Sequence, residues 1–455
     1  MENNSLMFER MHPTRLFIKC AVPAVLSMLF SGIYSIADGI FVGRCIGSDA
    51  LAAVNLIMPL ISIAFALAEL IAVGSSVQLA SLLGQKKNDD ANRTFSVCVK
   101  VIIGISVVIG LVFGLLGRPM LSLMGTEGKA LEYSLQYIRV YALFSPLIIV
   151  YFAIDNYLRI CGKQNLSMVL NITTAVLNIV LDFLFLVVFK WGVWAAALTS
   201  CVSISIGTVV AFYPFLRNKL ELRFVKGTIP LRQFFHLVAN GSSEFFANIA
   251  GSVFAFILNI VLLSIGGATA VAAMSVVMYT ESLAAAVIIG TCESLQPAIS
   301  YCQGAGLKKR IIAFEKRILL SAAILSFVAC LLLRYGGGSI VPFFVKAGDT
   351  ELLKLSIHAM GIYSISYLVN WIDGCLSAFL TALGKAGRSF IVSVMGTLVL
   401  PLIGLAVLVP TLRFDGVCYM PLFVGVINGI LALILVLTIK RKSGEGEING
   451  NQIAQ

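Results

Sequence analysis

Charge is what this sequence has least of. Only 12% of its residues are Asp, Glu, Lys or Arg, about half the share of a soluble globular domain. That excludes a string of water-soluble domains. Histidine and tryptophan are also scarce, with three of each. His12, His236 and His358 show no metal spacing. The ten cysteines form no Cys-x-x-Cys pair and no Cys/His cluster, so neither a zinc site nor a dithiol centre is expected. Most of them sit inside apolar runs, where cysteine acts as a small hydrophobe. No cleavable signal peptide is evident. Met1 to Arg15 is polar, and the first apolar run, Leu16 to Val42, is too long for a signal h-region.

What is there is apolar: 59% of the residues, gathered into blocks. Twelve run approximately over 16–43, 51–80, 95–117, 131–160, 166–189, 192–216, 234–265, 268–302, 313–335, 351–383, 388–411 and 414–439. Blocks of about 20 to 30 residues cross a bilayer as helices. Turn chemistry separates them, as at Gly47-Ser48-Asp49 and Gly384-Lys385-Ala386-Gly387. The expected fold is an all-α integral membrane protein with twelve transmembrane helices. Only Ser443 to Gln455 reads as a disordered tail.

Most of the basic residues fall in loops on the side that holds the N-terminus, among them Arg10, Lys86, Lys87, Arg93, Lys163, Arg217, Lys308, Lys309, Arg310, Lys385 and Lys440-Arg441-Lys442. Positive-inside bias places that side, and both termini, in the cytoplasm of a plasma-membrane protein. The net charge of +11 is then mostly topology. Split among short loops, it does not suggest nucleic-acid binding.

The chain repeats itself. Gly47-Ser48-Asp49-Ala50-Leu51-Ala52-Ala53-Val54 is echoed by Gly267-Ala268-Thr269-Ala270-Val271-Ala272-Ala273-Met274, and Gly84 by Gly304. Residues 1–220 and 221–442 then form two pseudo-symmetric six-helix lobes, with 443–455 as a cytoplasmic tail. Transporters built from parallel halves bind substrate between them and alternate access by rocking.

Polar residues fall in stripes. Helix 1 carries Ser27, Ser31, Tyr34 or Ser35, and Asp38. Helix 5 carries Asn171, Thr174, Asn178 and Asp182. Helix 7 carries Glu244, Asn248, Ser252 and Asn259. Helix 10 carries Ser366, Asn370, Asp373, Ser377 and Thr381. Spacings of three, four or seven residues keep each set on one face. Ser, Thr and Asn alone read as interhelical hydrogen bonding. A carboxylate is different: at mid-membrane it costs about 2.5–3.5 kcal/mol on insertion scales, so it usually faces a cavity and has a function. Asp38 precedes Arg44 by six residues and Asp182 precedes Lys190 by eight, which puts both roughly 9–12 Å below the outer surface at about 1.5 Å per residue. Asn178 is one turn deeper. Two carboxylates and an amide at that depth suggest a proton or cation site. Asp155 and Arg159, at i and i+4, read as a simple helix pair.

These residues carry a family resemblance. Pro23-Ala24-Val25-Leu26, Tyr34-Ser35-Ile36-Ala37-Asp38, Phe41-Val42-Gly43 and Gly47-Ser48-Asp49-Ala50-Leu51-Ala52-Ala53 resemble the first-helix signature of the multidrug and toxic compound extrusion (MATE) transporters. Leu83-Gly84-Gln85-Lys86 with Ala91-Asn92-Arg93-Thr94-Phe95-Ser96 resembles the family's second-loop pattern. Gln296-Pro297-Ala298-Ile299-Ser300-Tyr301 resembles the end of helix 8 in its DinF-like, MepA-like branch. The resemblance covers almost the whole chain.

The resemblance implies two lobes around a central cavity and export of lipophilic cations in exchange for H+ or Na+, with no cofactor and no catalytic residues. It places the coupling site, a possible Na+ site, at Asp38, Asn178 and Asp182. It adds Tyr137 from helix 4, a helix-6 hydroxyl at Thr199 or Ser200, and a helix-1 bend at Pro23. In the NorM-like branch a helix-7 Glu matters, but the matching position here is near Ser252. Asp373 lies near that branch's helix-10 carboxylate. Tyr34, Tyr137, Thr199, Ser200, Glu69, Glu281 and Asp373 are candidates to line the cavity for a cationic substrate, beside membrane lipids, in a monomer. The alternative is a flippase for lipid-linked or polysaccharide precursors. It needs cationic residues for phosphate, and Arg139 is the main one. An integral-membrane enzyme lacks a recognisable nucleophile, base and metal set.

Overall fold

The computed structural model describes residues 5–123, 126–345 and 349–452, with the side chains of Ser48, Ala52 and residues 440–452 excepted. Among the described residues there are helices and turns and no strand. A short helix, α1 (Leu6–Arg10), precedes α2 (Pro13–Phe41), which runs into a π-helical turn at Val42–Ile46. Next come α3 (Ser48–Gly84), α4 (Asn88–Leu123) and α5 (Gly128–Ile160). α6 (Gln164–Asp182) runs into a second π turn at Phe183–Val188 and is followed by α7 (Val193–Leu216). The chain continues through α8 (Leu231–Glu293), α9 (Gln296–Gly304), α10 (Lys308–Ile340), α11 (Thr350–Tyr363) and α12 (Tyr367–Ala382). It ends with α13 (Ala386–Val394), α14 (Leu400–Leu412) and α15 (Phe414–Gln452). Of the tail expected to be disordered, residues 443–452 continue the backbone of α15 and Ile453–Gln455 lie outside the described residues.

Among the described residues, eleven helical stretches are long and apolar enough to cross a bilayer. One of them, Leu231–Gly304, has 74 residues, far more than the roughly 20 that one crossing needs. It is two crossings. Gly267, at φ 62° and ψ −154°, breaks α8 between them, and glycine tolerates that left-handed backbone where other residues are strained. Counted so, the twelve expected helices are present in a multi-pass membrane protein.

Proline explains the finer breaks. The ring of Pro297 would strike the carbonyl four residues back, and that residue, Glu293, is where α8 ends. Pro401 stands in the first turn of α14, directly after a π turn at Met395–Val399. The tenth expected helix is divided by a 3-10 turn at Ser364–Ser366.

Residues 1–249 and 294–314 form one compact unit, and 250–293 with 315–455 a second. In the first, α5 packs on α3, α4 and α7, α2 lies along α6, and α6 lies on α7. Ala195, Ala196 and Ala197 are fully buried on α7, and their small size permits close helix approach. α3 also packs on α9. A Cβ on Gly84 would lie 2.1 Å from the Tyr301 carbonyl oxygen, and one on Gly304 would lie 2.0 Å from that of Ser81. Only glycine permits that backbone contact. α1 is tied down by Arg310, which donates to the carbonyls of Phe8 at 3.0 Å and Met11 at 2.6 Å. In the second unit α15 packs on α11, α12 and α14, and α12 on α13. Leu115 and Leu123 on α4 are 77% and 89% exposed, which suits lipid as the solvent rather than water. Trp191 and Trp194 stack at 5.2 Å beside Phe189, where aromatic belts mark a membrane interface.

Candidate functional site

α6 delivers the last two residues of its polar stripe to one place. Asn178 and Asp182, one turn apart, are both buried. Burying a carboxylate requires donors, and α7 supplies them. The Thr199 hydroxyl donates to Asp182 Oδ1. The Asn178 amide is fixed by its neighbours: its NH2 donates to Asp182 Oδ2 at 3.2 Å, and its carbonyl oxygen accepts from the Ser200 hydroxyl at 3.0 Å and backbone N–H at 3.2 Å. Asp182 closes the regular part of α6, and a π turn follows at once.

α2 brings the second carboxylate. Asp38 stands one turn before the π turn at Val42–Ile46 and within electrostatic reach of Asp182. Its Oδ1 is buried with no hydrogen-bond partner among the described residues. Tyr34, Tyr137 and Tyr141 all sense its charge. Tyr137 and Tyr141 are buried on α5 and stacked at 5.3 Å. The cluster therefore holds two acidic groups, one amide and two hydroxyls, with one orphaned acceptor oxygen. That chemistry suits a proton or a small hard cation with oxygen ligands.

Beneath it lies a cavity with about 50 Å³ open to water-sized molecules. Ser31 and Tyr34 come from α2, Tyr151 from α5, Asn171, Thr174 and Asn178 from α6, and Ser200 and Ser203 from α7. A drug-sized ligand needs about 300 Å³ or more, so this space suits water or an ion. Of the sequence alternatives Tyr34 or Ser35, Tyr34 faces it.

The other acidic candidates have partners of their own. Glu69 accepts from Asn248 at 2.8 Å and neighbours Glu244. In the second unit Glu281 accepts from the Tyr367 hydroxyl at 2.8 Å. Asp373 accepts from the Gly374 N–H at 2.8 Å and from Asn428 at 3.0 Å. A separate cleft of about 260 Å³ lies between the two arms of α8, with Asn259 and Tyr279 among its walls.

The MatE family model matches this chain twice, over residues 23–184 and again over 245–407. The chain belongs to the MatE family. Among curated relatives, the multidrug export protein MepA of Staphylococcus saprophyticus is 23% identical over 95% of both chains. That of Staphylococcus haemolyticus is 24% identical over 96% of both. A multidrug resistance MATE family transporter of the MOP superfamily, solved in an outward-facing conformation, superposes with a TM-score of 0.88 at 20% identity, over 97% of this chain and 99% of that one. A MOP superfamily transporter from Pyrococcus furiosus, described as having a binding pocket of reverse polarity, gives the same values.

Three residues of this MatE chain escaped the sequence reading. Asn428 on α15 is buried and holds Asp373 while also donating to the Val392 carbonyl at 3.1 Å. Its being a lone amide in an apolar block was the available signal. Tyr151 and Ser203 line the cavity but belong to no carboxylate stripe.

Proposed function

We propose that this chain exports lipophilic, mainly cationic compounds in exchange for protons, by alternating access between lobes 1–220 and 221–442. The observation that carries this reading is the Asp38–Asp182 pair, two carboxylic groups within the membrane, Asp182 held by donors from α6 and α7 and Asp38 left with an orphaned oxygen. Like charges brought together away from water favour sharing a proton. A substrate or movement that separates them releases it. The MepA relatives, multidrug export proteins by name, support the substrate class. Sodium is the second coupling ion that fits, because the carboxylates of Asp38 and Asp182 and the Thr199 hydroxyl supply oxygen ligands. The basic loops on the side of the N-terminus support a plasma-membrane protein with both termini cytoplasmic.

A flippase needs a cationic anchor for phosphate. Arg139 is exposed, and among the described residues no Lys or Arg lines the cavity beside Asp182. The test is ethidium efflux from cells lacking other exporters. Efflux that stops with a proton uncoupler and persists without sodium supports the reading. Efflux that follows sodium and ignores the uncoupler changes the ion, and no efflux of any lipophilic cation sinks the proposal.

Two narrower results are expected. α2 is continuous through Pro23, which removes one backbone hydrogen bond and leaves a place to bend. Pro23→Ala should slow turnover about tenfold with drug binding within about twofold. Unchanged turnover would show that the bend is incidental. Asp373→Asn should change which drugs are carried, and how tightly, while proton exchange persists for the rest, because a cavity carboxylate attracts cations whether or not it carries the coupling ion. Resistance profiling across a panel of cationic dyes checks it.

A further inference from the structure

The i, i+4 pair Asp155–Arg159 is more than a helix pair. Arg159 donates to Asp155 Oδ2 at 2.6 Å. Oδ1 accepts from the Ser167 hydroxyl at 2.5 Å and from the Asn171 amide at 3.1 Å. Asn171 accepts in turn from the Tyr151 hydroxyl at 2.9 Å. Tyr151 and Asn171 are also walls of the cavity that reaches Ser200 and Asn178, whose amide donates to Asp182. Tyr151 lies within electrostatic reach of both Asp155 and Tyr34.

Depth gives this arrangement a direction. Asp182 ends α6, and Asn171 stands eleven residues earlier, about 16 Å down the helix at 1.5 Å per residue. Asp155 is five residues from the end of α5, on the side of the N-terminus. Two carboxylates thus sit toward opposite faces of one unit, joined by polar groups and a cavity. Its 50 Å³ has room for a few waters at roughly 10–15 Å³ each. The other charged or titratable groups along the route are Asp38 and Tyr34 from α2, Tyr151 from α5, and Arg159 beside Asp155.

We infer that this path carries the coupling proton through the first unit, from Asp182 to Asp155, where it leaves on the side of the N-terminus. The inference rests on the antiport reading above. The proton departs the Asp182 carboxyl to a cavity water and passes along the cavity waters past the Tyr151 hydroxyl. It binds a carboxylate oxygen of Asp155, then goes to the aqueous phase. Only O–H bonds break and form, and no electrons are exchanged. A carboxamide does not relay protons readily. Asn171 is therefore the plug between the cavity and Asp155, held by Tyr151 and by its own donation to the Ser167 carbonyl at 3.0 Å. Water passes to Asp155 only when Asn171 turns aside.

The test uses the full-length protein in liposomes with an entrapped pH dye, adding ethidium or tetraphenylphosphonium. In Asp155→Asn, drug-evoked proton movement should fall at least tenfold while drug binding stays within twofold. In Asn171→Ala, the plug is gone, and a drug-independent proton leak should rise severalfold. A structural role alone would not produce these opposite effects. If Asp155→Asn fails to fold, Ala175→Leu decides. Ala175 is another wall of the cavity; leucine there adds three carbons, leaves Asp155 untouched, and should lower proton movement as far. Wild-type proton movement in Asp155→Asn or Ala175→Leu, or no leak in Asn171→Ala, overturns the path. Wild-type protein that moves no protons on adding drug overturns the antiport reading instead.

Discussion

Asp182→Asn should reduce drug-evoked proton exchange to background, a loss of at least about a hundredfold, with the protein inserted at close to normal level. The variant keeps the shape of the side chain. The Thr199 hydroxyl can still donate to the remaining oxygen, so packing between α6 and α7 survives. What disappears is the negative charge and the ability to load a proton. A missing interaction of about 2.7 kcal/mol is already a hundredfold effect, and a buried carboxylate beside a second one involves at least that much. Asp38→Asn should behave the same way, because each carboxylate sets the field of the other. Drug resistance at wild-type level from both variants, at equal expression, would remove the coupling role from this cluster.

Gly304→Ala should be among the most damaging small changes outside the cluster. The added methyl would meet the Ser81 carbonyl oxygen at 2.0 Å and its Cα at 2.8 Å. Backbone cannot swing aside as a side chain can, so α9 and α3 must separate. Overpacking of this kind typically costs 1–3 kcal/mol, and here it also breaks the weak Cα–H···O contacts that such approach allows. The expected result is a lower thermal midpoint in detergent and transport reduced about tenfold or more. Gly84→Ala, which meets the Tyr301 carbonyl oxygen at 2.1 Å, should match it. A midpoint and turnover like wild type in either variant would show that the two helices part without cost.

The helices were legible because the solvent is a bilayer. Apolar blocks, polar breaks and glycine at Gly267 read directly along the chain. The stripe on α6 was also legible, since period and burial agree there: Asn171, Thr174 and Asn178 all face one cavity. What could not be read was which stripe meets which. The repeat marks Gly84 and Gly304 as equivalent positions, but equivalence does not say that they touch. Asn428 and Asp373 are distant in sequence and meet only because α12 and α15 pack. Tyr151 belongs to no carboxylate stripe, and its hydroxyl gains meaning only beside Asn171. Asp155 looked satisfied by Arg159, when three donors converge on it.

The central claim is that Asp38 and Asp182 carry the coupling proton. The most direct measurement is proton release on adding ethidium to purified protein in weakly buffered detergent, for wild type, Asp38→Asn, Asp182→Asn and Asp373→Asn. The account predicts release from wild type and Asp373→Asn, and none from Asp38→Asn or Asp182→Asn although ethidium still binds. Release retained in Asp182→Asn and lost in Asp373→Asn would contradict it and move the coupling site to the second lobe.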